Sequence, residues 1–136
     1  MSPLSVDCRE LTTGVLITVT GELDSTNADW LESSAERTRR PGQSLVLDLG
    51  GLTFMDSSGL QVLLRLNAAA REQGGGLLLA AVQDLPARVL QITGVWCALH
   101  IYPSVNEAVA AVLSDDLAGG LAAPSALPFP PASEGS

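Results

Sequence analysis

The chain has 136 residues, 46% of them hydrophobic and 16% charged, enough apolar material for one packed domain without disulfides or metal. Its seven basic residues are all Arg and face fifteen acidic ones, for a net charge of −8. That balance argues against a nucleic-acid-binding face, and it suits ordinary solubility as well as contact with a basic surface on another protein.

No apolar run approaches membrane-spanning length and no charged, apolar leader opens the chain, so a cytoplasmic protein is expected. Residues 4–11 alternate weakly and read as an edge strand, with residues 14–20 as its antiparallel partner across a Thr12-Thr13-Gly14 turn. Asp24, Ser25 or Thr26 then caps a helix running to about Arg39, with Ala28, Leu31 and Ala35 facing inward, and Pro41-Gly42 ends it. Arg37, Arg39 and Arg40 cluster at that end, where cations complement the helix dipole.

Residues 44–49 read as a strand buried on both faces and broken by Gly50-Gly51. Leu60, Leu63, Leu64 and Ala70 follow at helical spacing, and residues 77–82 form a second fully apolar strand. Asp84 and Pro86 open a short helix closed by Gly94, and residues 100–102 make a last short strand. Ser104-Val105-Asn106-Glu107 is a capping box that starts a helix to about Leu113. Helices alternating with buried strands predict an α/β fold, a mixed, mostly parallel sheet of about four to five strands flanked by about four helices. Residues 1–113 form this domain. Residues 114–136 hold four of the eight prolines among Gly, Ala and Ser, and are expected to be a disordered tail. Cys8 and Cys97 form no CxxC pair, sit among apolar residues and read as buried free thiols.

The stretch from Leu52 through Asp56-Ser57-Ser58-Gly59 to Leu64 places two adjacent hydroxyls between a strand and the first turn of a helix. Backbone N–H groups lack partners there, and Asp56, Ser57 and Ser58 are available to cap them. A helix N-terminus favours negative charge, so a phosphate on one of these hydroxyls need not break the fold. On the helix wheel Gln61, Arg65 and Glu72 make a narrow polar stripe, with Val62, Leu66 and Ala69 along one side of it. That side is either buried or a partner surface, and Trp30 on the first helix is a further candidate anchor. Asn67, inside the apolar arc, is expected to bond a neighbouring loop.

The run Phe54-Met55-Asp56-Ser57-Ser58-Gly59-Leu60 resembles the signature of the STAS family, specifically the bacterial anti-sigma factor antagonists. Thr20-Gly21-Glu22-Leu23-Asp24 resembles that family's turn after the second strand; Gly74-Gly75-Gly76 and Ile92-Thr93-Gly94-Val95 also fit. The resemblance spans residues 4–113 and implies Ser58 as phosphoacceptor. Asp56 would orient the serine or hold the loop, and Ser57 would be the cap or a supporting contact. Gly59 would let a partner backbone approach closely, and Asp24 would lie near the phosphoacceptor or cap the first helix. The partner surface would involve Trp30, Gln61, Val62, Arg65 and Leu66, with Gln61 standing where many family members have glycine.

The function implied is partner switching without catalysis, metal or cofactor. The unphosphorylated protein binds an anti-sigma factor that is an ATP-dependent serine kinase, releasing a sigma factor. Phosphorylation of Ser58 ends the interaction, and a serine phosphatase restores it. The alternative is a STAS module that binds unphosphorylated in a transporter or signalling complex. A hydrolase pair of Ser57 or Ser58 with His100 lacks the Gly-x-Ser-x-Gly elbow. A phospho-aspartate receiver built on Asp48 would need a Lys, which this chain does not have.

Overall fold

In the computed structural model, which describes residues 4–12, 14–40 and 42–117, five strands form one sheet in sequential order. The elements are β1 (Ser5–Glu10), β2 (Gly14–Leu23), α1 (Ala28–Thr38), β3 (Ser44–Met55), α2 (Ser57–Glu72), β4 (Leu77–Ala80), α3 (Asp84–Ile92), β5 (His100–Tyr102) and α4 (Val105–Leu117). A 3₁₀ turn, Val95–Ala98, lies between α3 and β5. β1 pairs with β2 antiparallel, and the other three pairings are parallel. The mixed, mostly parallel sheet expected from the apolar runs is therefore present.

Sequential strand order explains how the layers are filled. Each parallel step needs a right-handed crossover, and steps all taken in one direction put their helices on one face. Val15, Ile17, Val19, Leu45, Leu47, Leu49, Leu77 and Leu79 point to that face and form one core with Leu31 of α1, Leu63 and Leu66 of α2 and Leu90 of α3. The opposite face carries Val46, Leu78 and Ala80 and is covered by Ala108 and Val112 of α4. The capping box at the start of α4 is present, with the Glu107 N–H donating to the Ser104 hydroxyl at 3.2 Å.

Several local expectations change. Gly50-Gly51 does not break β3, which runs on to Met55. Beyond Asp48 it has only β2 as a strand neighbour, through Thr20↔Gly51, Gly21↔Leu52, Glu22↔Phe54 and Leu23↔Met55, with two register shifts. A Cβ at Gly51 would lie 2.5 Å from Thr20 Cγ2, so the glycine allows this close approach. α1 begins at Ala28, with Asn27 as its N-cap, and ends at Thr38. α4 extends to Leu117, past the composition change at Ser114, and residues 118–136 of the expected tail lie outside the described residues. Cys8 and Cys97 are free but exposed, because Cys8 lies on the edge strand and Cys97 in the 3₁₀ turn. The Arg cluster is engaged within the fold: Arg37 donates to Ser34, Arg39 to Glu36 and Gln73, and Arg40 pairs with Glu10 at 3.3 Å.

Candidate functional site

β2 and β3 project past the four residues of β3 that β4 pairs with, and their carboxyl ends carry Asp24 and Asp56 side by side. Leu23 pairs with Met55, and the Asp56 N–H donates to the Leu23 carbonyl at 3.3 Å. The structure thus brings together the two acidic residues that the sequence marks 32 positions apart.

Asp56, rather than Ser57, caps α2. Its Oδ1 accepts the N–H groups of Ser58 at 2.9 Å and Gly59 at 3.3 Å. Its own backbone is extended, with φ −107°, as an N-cap requires. Ser57 becomes the first helical residue and is exposed, and Ser58 follows half-buried. Among the described residues no side chain bonds to the Ser58 hydroxyl.

Asp24 serves the neighbouring turn. It accepts the Thr26 N–H at 2.9 Å and the Thr26 hydroxyl, and these bonds, the hydroxyl first, hold its carboxyl below the ordinary value of 3.8. It does not cap α1 with its side chain; its carbonyl accepts the Ala28 N–H at 2.9 Å. Asn27 locks the turn, accepting the Asp24 N–H at 2.9 Å and donating to the Glu22 carbonyl at 2.9 Å.

Gly59 is buried, so the expected approach of a partner backbone does not occur there. Its missing Cβ makes room inside the protein: an atom in that place would sit 2.7 Å from Leu23 Cδ2 and from Met55 Cγ. The glycine lets the first turn of α2 lie directly on the β2–β3 ends and so sets where Ser58 is held.

Val62 and Leu66 are wholly buried against the sheet core and offer nothing to a partner. The exposed side of α2 is instead Gln61, Leu64 (37% exposed), Arg65 and Ala68, so Leu64 faces out where an inward position was expected. Arg65 is engaged: its Nε donates to both Glu32 carboxylate oxygens, at 3.0 and 3.1 Å, and its Nη2 donates to Oε1 at 2.8 Å. Those bonds raise the Arg65 pKa and tie α2 to α1. Trp30 of α1 and Phe54 of β3 are exposed, at 47% and 36%. Phe54 was missed as a surface residue; its place in the projecting part of β3 was the only clue. Among the described residues the buried Oδ1 of Asn67 has no hydrogen-bond partner, so the expected bond to a neighbouring loop is not made through it. Among the described residues no group of His, Cys, Asp and Glu could hold a metal, and no helix is long and apolar enough to cross a membrane.

The STAS domain model matches residues 5–108. The anti-sigma F factor antagonist of Paenibacillus polymyxa is 35% identical over 99 residues, covering 71% of this chain and 85% of that protein. The anti-sigma-B factor antagonist of Bacillus subtilis is 28% identical over 91 residues, covering 67% and 84%. A crystal structure of an anti-sigma factor antagonist from Mycobacterium paratuberculosis superposes with a TM-score of 0.67 at 25% identity, covering 82% of this chain and 95% of that one. A signature seated at the joined ends of β2, β3 and α2, with a family match over most of the chain, leads to one conclusion: this chain belongs to the STAS domain family.

Proposed function

We propose that this protein is an anti-sigma factor antagonist whose unphosphorylated form binds an anti-sigma factor and thereby frees a sigma factor. It catalyses nothing itself. The anti-sigma factor is an ATP-dependent serine kinase that phosphorylates Ser58, and a serine phosphatase reverses the mark. The observation that carries this reading is the setting of Ser58: a half-buried hydroxyl without a side-chain partner among the described residues, on the first turn of a firmly capped helix. Gln61 is exposed about one turn further along α2, Leu64 is exposed beside it, and Phe54 is exposed near the end of the strand that leads into α2.

The same geometry supports a switch by surface charge rather than by refolding. A phosphate adds a charge of about −1.5 to −2. Three of the first-turn donors are already committed, since the Asp56 carboxylate takes the Ser58 and Gly59 N–H groups and its carbonyl takes that of Leu60 at 3.0 Å. Arg65 is held by Glu32, and Asp56 is of like sign. With no free cation beside it on α2 among the described residues, the phosphate stays at the surface and repels or blocks the partner.

Ser58→Asp and Ser58→Ala, titrated against an anti-sigma factor kinase from the same organism, test the reading. Ser58→Ala should bind like the wild type, and Ser58→Asp at least about a hundredfold more weakly. Equal binding by both would leave a binding-only module and remove the switch.

A further inference from the structure

The outer edge of the sheet is the least protected part of the fold. Five of the six residues of β1 are exposed, and among the described residues β2 is its only strand partner. The Leu11 N–H donates to the Gly14 carbonyl at 2.8 Å, which makes Leu11 and Gly14 a hydrogen-bonded pair. Alternation along an antiparallel ladder then makes Arg9–Leu16, Asp7–Thr18 and Ser5–Thr20 the bonded pairs within the register of the hairpin. Val6, Cys8 and Glu10 therefore turn their N–H and C=O groups outward, to the open edge.

We propose that β1 is a self-complementary edge through which two copies of this chain pair antiparallel, about a two-fold axis at Cys8, into one continuous sheet. Outward groups can meet only outward groups, which limits the pairing to registers that set Val6, Cys8 and Glu10 against one another. Centring the axis on Asp7 would oppose two carboxylates, and centring it on Arg9 would oppose two guanidinium groups. Centring it on Val6 leaves half of the strand without a partner from the strand's own residues, and centring it on Glu10 leaves nearly all of it so. Centred on Cys8, Val6 faces Glu10 of the second copy and Cys8 faces Cys8, each pair exchanging both backbone bonds. Asp7 then faces Arg9 of the second copy, twice, in the closer, non-bonded positions of the ladder.

Both charged residues are exposed, and neither has an ion-pair partner among the described residues. Charges on an edge strand ordinarily discourage pairing. Here the opposite signs stand two residues apart, so the two-fold turns them into attraction for this one partner. β2 would run antiparallel to its copy, so the two Ser58 sites would point to opposite ends of the joined sheet. The proposal does not depend on Ser58 being phosphorylated.

Sedimentation equilibrium from about 1 to 500 µM tests the pairing, with circular dichroism melts showing that each variant is folded. The wild type should dimerise with concentration. Asp7→Arg and Arg9→Asp should each weaken the dimer at least about tenfold, and the double variant should restore it, because the pairs are re-formed with signs exchanged. Oxidised glutathione gives a covalent readout. One Cys8 thiolate attacks it and releases one reduced glutathione; Cys8 of the second copy then attacks the mixed disulfide and releases another, leaving a Cys8–Cys8 disulfide. Cys97→Ser should still be trapped as a dimer and Cys8→Ser should not. A monomer throughout the range, a double variant no better than the single ones, or trapping through Cys97 would overturn the proposal.

Discussion

Gly59→Ala sets two physical effects against each other. Position 59 lies in the first turn of α2, where helix propensity alone favours alanine by about 1 kcal/mol. The added Cβ would lie 2.7 Å from Leu23 Cδ2, 2.7 Å from Met55 Cγ and 2.8 Å from Leu23 Cγ. Carbon atoms rest at about 3.5–4.0 Å, so each contact is short by roughly 0.7–1.3 Å. Neither neighbour can retreat outward, since Leu23 is 0% and Met55 1% exposed. Overpacking of this kind costs about 1–3 kcal/mol, and three contacts on two enclosed side chains put it at the upper end. The net expectation is a loss of about 1–2 kcal/mol, or a fall in Tm of roughly 4–10 °C for a domain of this size. Urea and thermal denaturation measure it. In a Leu23→Ala background two of the three contacts vanish, so the alanine should cost at least about 1 kcal/mol less than in the wild type. A neutral or stabilised Gly59→Ala would show that Gly59 is not there to let α2 close on the strand ends.

Three further outcomes follow from the same contacts. Asp56→Ala leaves two first-turn N–H groups without their acceptor and should cost about 1–2 kcal/mol in denaturant melts, with Asp56→Ser recovering most of it. Leu66→Ala should cost about 2–5 kcal/mol because it opens a cavity in the main core, whereas Leu64→Ala should stay within about 0.5 kcal/mol. Asp24 should titrate below 3.8 in carboxyl NMR, and Thr26→Val should move it back toward that value. Because its folded-state pKa is depressed, its contribution to stability is present above the unfolded value and lost as pH falls through the folded one, so the loss lies on the acid side of 3.8.

The parallel sheet was legible because its strands are buried on both faces and read as continuous apolar runs, as Leu77–Ala80 does. The turn that follows β2 and the Asp-Ser-Ser-Gly turn at the end of β3 were legible as motifs. What could not be read was which side of α2 the sheet would cover. Leu60, Val62, Leu63, Leu64 and Leu66 span an apolar arc wider than one contact face, and only the position of α1 and the strands decides that Val62 goes in and Leu64 out. Gly50-Gly51 looked like a stop because glycine usually ends a strand; here the close passage of Thr20 requires it inside one. Gly59 misled for a related reason. A glycine beside a functional serine suggests room for a visitor, yet the space is taken by Leu23 and Met55 of the same chain. The cysteines were misplaced because Cys8 lies on the exposed edge strand and Cys97 in the short 3₁₀ turn, where no other element among the described residues covers them.

The unequal covering of the two sheet faces has a consequence in time. α4 holds its face through a small cluster rich in alanine, while α1, α2 and α3 share a core of large leucines and valines. Opening α4 exposes far less apolar surface than opening α2, so its amides should exchange with solvent through local excursions well before the rest of the domain lets go. One face of the molecule would then breathe quickly while the other remains closed. Ser58 rides on the slow face, at the start of α2. An enzyme that modifies it would meet a fixed target rather than a fluctuating one, and its recognition would have to read the shape of the folded surface.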